Sequence, residues 1–91
     1  MKIQNSPFKK YEKTILEKDN SCALILRKAV LSMFDGNSHK FGLSTIGYLN
    51  DLYEEIFKKL LEHYLIHGES DDDFLELGRK CYHMEILHIK Y

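Results

Sequence analysis

His63 and His67 lie four residues apart, and Cys81 and His83 follow two apart. These are the side chains in this chain best suited to holding a metal, and four soft or borderline ligands suit zinc. Spacing decides how far that reading goes. Residues four apart share a helix face, so His63 and His67 can meet, whereas Cys81 and His83 diverge by about 200° and reach one ion only if their helix unwinds. Tyr64 also stands where a zinc hydrolase motif places its glutamate. The histidines therefore read as rim residues, with a zinc site at His63 and His67 as the minor alternative and no cofactor expected.

Asp71, Asp72 and Asp73 offer carboxylates for a divalent cation or for acid–base work. Consecutive helix positions fan out over about 200° and do not converge, so capping and compensation of the helix dipole explain them more simply. Cys22 and Cys81 carry no flanking nucleophile motif and sit inside apolar helical patterns, which reads as two buried thiols in a reducing compartment. No glycine-rich phosphate loop is present. No reaction is suggested, and the chain reads as non-enzymatic.

Lys9, Lys10, Lys13, Lys18, Arg27 and Lys28 could touch phosphates. The overall balance works against nucleic acid as the main partner: thirteen Lys plus Arg oppose fourteen Asp plus Glu, a net charge of -1. The charge is polarised, with eight basic groups against four acids in residues 1–40 and five against ten thereafter. Solvated helix faces of unlike sign produce the same polarity, so weak or no nucleic-acid binding is expected.

The elements that position these residues read as helices. Ninety-one residues, 44% of them apolar, make one domain with a small core. No apolar run approaches a membrane span and the N-terminus lacks a signal-like core, so an intracellular protein with no membrane association is expected. Ser6 and Pro7 mark a helix start, continued by Phe8, Tyr11 and Ile15 to about residue 18. A second helix spans about 22–34, capped at Ser21, and is followed by the turn cluster Asp35, Gly36, Asn37 and Ser38. A third spans about 44–67, with Leu49, Leu52, Tyr53, Ile56, Phe57, Leu60, Leu61, Tyr64 and Leu65 as an apolar stripe and Gly68 as its stop. Pairs Glu54–Lys58 and Glu55–Lys59 fall on its outer side. About two dozen residues make a rod of roughly 35 Å. Ser70 and the three aspartates open a fourth helix, about 71–88, on which Phe74, Leu77, Cys81 and Met84 line one face. Leu75, Tyr82, Ile86 and Ile89 extend a second, a surplus that hints at a partner.

Short helix, long central helix and short acid-started helix is the order of a histone fold. Leu26, Arg27, Met33, Phe34, Asp35 and Gly36, then Leu49, Asp51 and Leu52, and then Asp73, Phe74, Arg79 and Lys80 resemble the histone-fold family. Within it the likeness is to the small TFIID subunit TBP-associated factor thirteen and the Spt-type subunit of SAGA. The segment before Asp73 is shorter than in that family, with Gly68, Glu69 and Ser70 in place of its usual residues, and the N-terminal helix is extra.

The resemblance implies a subunit that heterodimerises within a nuclear transcription complex. It implies pairing through Leu49, Leu52, Tyr53, Ile56, Phe57, Leu60 and Tyr64, with Asp73 and Arg79 as a structural pair. The residues themselves leave a different reading open, a small stand-alone four-helix bundle in the cytoplasm. Such a bundle would act as a phage- or plasmid-type inhibitor or immunity protein, binding and blocking one protein target.

Overall fold

The computed structural model describes residues 5–89, with side chains through Glu85, and every regular element among them is helical. Five α-helices run in the order α1 (Pro7–Lys10), α2 (Glu12–Glu17), α3 (Ser21–Phe34), α4 (Asp51–His67) and α5 (Asp72–Ile89). Short 3-10 turns at Leu43–Tyr48 and Gly68–Ser70 lead into α4 and α5.

Side-chain caps account for most of these boundaries. Ser6 has extended backbone and its Oγ accepts from Phe8 N, while Pro7 takes the first helical position, where a missing N–H costs nothing. The first helical segment does not run unbroken to residue 18. Tyr11, at φ −102° and ψ 12°, leaves helical geometry and divides it into α1 and α2. Asn20, not Ser21, caps α3, accepting from Ala23 N at 2.8 Å while its Nδ2 donates to Tyr53 Oη at 3.1 Å.

The central helix is shorter than the periodicity suggests. Leu49 and Asn50 are extended, and Asn50 accepts from Tyr53 N at 3.1 Å, so its cap starts α4 at Asp51 rather than near Ser44. Seventeen residues make a rod of about 25 Å, not 35 Å. Asp51 and Glu54 lie in its first turn, where carboxylates complement the helix dipole. Gly68, with φ 54°, ends it in a conformation that a side chain would strain.

α3 packs along α5, α1 lies against α4 and α5, and α2 lies on α3. Phe74 of α5 is fully buried at the centre, with the rings of Phe8, Tyr64 and Phe34 at centroid distances of 4.9, 5.2 and 6.3 Å. Leu26, Ala29, Val30 and Leu31 from α3, Leu60 from α4, and Leu77 and Cys81 from α5 complete the core.

That core takes in most of the stripe assigned to a partner. Leu49, Tyr53, Ile56, Phe57 and Leu60 are buried within this chain and Tyr64 is half-buried; only Leu52 is well exposed. The physical reason lies in the extra N-terminal segment and in α3, which cover the inward face of α4 as a second chain would have done. Of the second face on α5, Leu75 is half-buried and Tyr82 is 39% exposed, while the side chains of Ile86 and Ile89 lie outside the described residues.

Candidate functional site

Three of the residues singled out by their chemistry converge where α1, α4 and α5 meet. The 3-10 turn after α4 brings Asp71, fully buried, to the head of α5, where its Oδ1 accepts from Asp73 N at 3.0 Å and caps the helix. Asp71 Oδ2 accepts from Ser6 Oγ at 2.5 Å, and His63 Nε2 lies 2.9 Å from the same oxygen. One carboxylate therefore joins the start of α1, the last turns of α4 and the start of α5. Phe8 lies edge-on to the His63 ring at 5.9 Å, and His67 follows at 4.4 Å.

The residue types are those of a serine hydrolase triad, but their order is different. In a triad the serine gives its proton to histidine and the carboxylate orients the histidine from the far side. Here Ser6 donates directly to Asp71 and is itself buried, so the hydroxyl is turned away from any substrate. The cluster can tie three helix ends together; it does not activate a nucleophile.

His63 and His67 do share a face, yet Nε2 of His63 is occupied by Asp71. Cys81 is buried and His83 exposed, on diverging directions of α5. No group of three or more potential metal ligands is brought together among the described residues. Asp73 and Arg79 do not form the structural pair: Asp73 is buried, Arg79 exposed, and no ion pair joins them among the described residues. Six helical positions place them about 120° apart around the helix, which points the two side chains in different directions.

The basic residues take individual roles. Arg27 is half-buried and donates to Ile15 O at 2.8 Å and Lys18 O at 3.3 Å, satisfying the last carbonyls of α2. Lys80 reaches Glu12 at 2.6 Å and ties α5 to α2. Lys10 and Lys59 instead line a cleft of about 390 Å³ between the N-terminal segment and α4, together with Pro7, Tyr11, His63 and Ile66. In that cleft burial tends to raise the Tyr11 phenol, but the ammonium groups of Lys59 and Lys10 outweigh it and hold the phenol below its ordinary value.

The two thiols differ sharply. Burial pushes Cys81 up to about 12, with the Arg27 charge opposing only weakly, whereas Cys22 is half-buried with Sγ 3.8 Å from Tyr48 O. Thiolate is the reactive form, so at pH 8 a disulfide reagent should label Cys22 promptly and Cys81 only as fast as the protein opens. Equal labelling rates at both positions would contradict the burial. The shift also has a consequence for stability. The folded state keeps the Cys81 proton above the ordinary value of 9.0 while the unfolded state loses it, so stability falls as pH rises from 9 towards about 12.

No protein-family model matches this chain, and no curated protein or solved structure shows significant similarity to it.

Two side-chain contacts of the cluster and the cleft have no local sequence signal. Tyr11 is partly buried against the core, as its spacing predicts, and its place in the cleft follows from the break it makes between α1 and α2. Local spacing marks Ser6 as a cap, and its bond to Asp71 spans 65 positions of the chain.

Proposed function

We propose that this chain is a non-enzymatic protein-interaction module, a self-supporting helical bundle that binds one protein target through apolar side chains its own core leaves in solvent. The observation that carries this reading is on α4. Its inward face fills the core, yet Leu61 and Leu65, one turn apart on the outer side, are 37% and 74% exposed. Leu43 and Tyr48, in the 3-10 turn before α4, are more than three-quarters exposed. Large apolar side chains held in water favour association once a partner excludes the solvent. The stripe that would serve histone-like pairing is occupied within the chain, which favours the stand-alone bundle over the heterodimeric subunit. The buried Ser6 and Cys81 support a non-catalytic role.

The test is site-specific photo-crosslinking in the native cell with the reactive group at position 65 or, as a control, at the exposed Glu55. A defined adduct from position 65, lost when Leu61 is changed to Asp while thermal stability holds, is the expected result. The same adducts from both positions, or none from position 65, would overturn it.

A further inference from the structure

Lys59 forgoes the ion pair its sequence offers. One position earlier, Lys58 Nζ pairs with Glu54 at 3.2 Å across one helical turn. Glu55 stands in the same relation to Lys59, yet Lys59 Nζ turns the other way, donates to Tyr11 Oη at 3.4 Å and lies 6.0 Å from that ring's centroid. Lys10 approaches the same ring, its Nζ 5.3 Å from the centroid. Neither ammonium has a carboxylate within ion-pair distance among the described residues. Two like charges are thus gathered at one phenol with neither ion-paired among the described residues, an arrangement that an anion in the adjoining cleft would stabilise.

The rest of the cleft limits what that anion can be. Tyr11 accepts from Lys59 and keeps its own O–H to donate, so two ammonium groups and one hydroxyl face a common space. Glu62, also in the lining, leaves it net positive by one charge and disfavours a highly charged polyanion. Pro7 and Ile66 supply an apolar wall, Ile66 being 69% exposed. A volume of about 390 Å³ admits a small molecule. A phosphate monoester carries a charge of about −1.5 to −2 at neutral pH and three acceptor oxygens, which matches two cations and a hydroxyl better than a single carboxylate does.

We propose that the cleft between the N-terminal segment and α4 binds a small-molecule phosphate monoester. Its phosphate lies between Lys10 and Lys59 and accepts from Tyr11 Oη, and its apolar remainder rests on Pro7 and Ile66. Leu61 and Leu65 are not among the residues that line this cleft.

Titration of the full chain with phenyl phosphate, followed by amide chemical shifts, tests the site. Saturable shifts at Lys10, Tyr11, Lys59 and Ile66 are expected. Lys59→Gln should weaken binding about tenfold, as loss of one charge-assisted contact does, and Tyr11→Phe should weaken it severalfold. Lys58→Gln should leave it unchanged. Inorganic phosphate should shift Lys10, Tyr11 and Lys59 but not Ile66, with lower affinity. Both exposed lysine variants are expected to keep the native amide spectrum, so weakened binding reports the site and not the fold. Equal weakening by Lys58→Gln and Lys59→Gln, inorganic phosphate binding as tightly as the ester, or no saturation by about 10 mM phenyl phosphate would overturn the proposal.

Discussion

Asp71→Ala is expected to cost the fold about 3–5 kcal/mol, the range seen when one partner of a buried polar network is removed. Three losses contribute. The Asp73 amide at the head of α5 loses its cap, worth about 1 kcal/mol. The Ser6 hydroxyl and the His63 ring lose the oxygen they share; Ser6 is buried and left without an acceptor, whereas His63 lines the cleft and recovers part of its loss from water. Unmet buried donors cost about 1–3 kcal/mol each. A domain of this size holds roughly 5–14 kcal/mol in total, so the variant should melt broadly or lie near its unfolding midpoint in water. Asp71→Asn should do less harm, because asparagine caps well and can still accept at one oxygen. Urea melts of both variants and of Ser6→Ala check the account. Ser6→Ala combined with Asp71→Ala should cost clearly less than the sum of the two single changes, since both remove the same bond. Strict additivity, or an Asp71→Ala midpoint equal to that of a surface change such as Glu55→Ala, would show that the cluster does not hold the helix ends together.

What could be read from the chain follows the range of the forces involved. The helical class and the Ser6–Pro7 start are written in neighbouring residues, because capping acts over two or three positions. The start of α4 is local too, but two start signals compete there: Ser44 lies inside a 3-10 turn and caps nothing, and Asn50, with acidic Asp51 and Glu54 behind it, sets the α-helix. Periodicity across Leu49, Ile56, Phe57 and Leu60 marks a buried stripe but cannot say whose residues bury it. Here Phe8, Phe74 and their neighbours within the chain do so, rather than a second subunit. Contacts between distant positions left no trace in the sequence. Ser6 meets Asp71, and Tyr11 meets Lys59 only because the chain breaks at Tyr11 and lays α1 against α4.

Gly78 is the other long-range constraint, and it carries the second large expected effect. A glycine in the interior of α5 weakens the helix by about 1 kcal/mol relative to alanine, so helix propensity alone favours Gly78→Ala. Packing reverses that sign. A methyl group at position 78 would fall against Phe34 Cδ1, within 2.5 Å of Cγ and 3.0 Å of Cβ. Turning about χ1 would carry Cγ and the ring out of their packed place, and Cβ is fixed by the α3 backbone, so relief requires α3 and α5 to move apart along the most extensive helix contact among the described residues. Overpacking of this kind costs about 1–3 kcal/mol, which lowers Tm by roughly 5–20 °C in a domain this small. Gly47→Ala, where an added carbon meets nothing within 4 Å, should leave Tm near its native value. The decisive comparison is Gly78→Ala in a Phe34→Ala background. With the ring gone the steric cost largely disappears, and the alanine should become neutral or stabilising by up to about 1 kcal/mol, the gain its helix propensity allows. If Gly78→Ala lowered Tm equally with and without Phe34, the close approach of α3 and α5 would not be what requires glycine at this position.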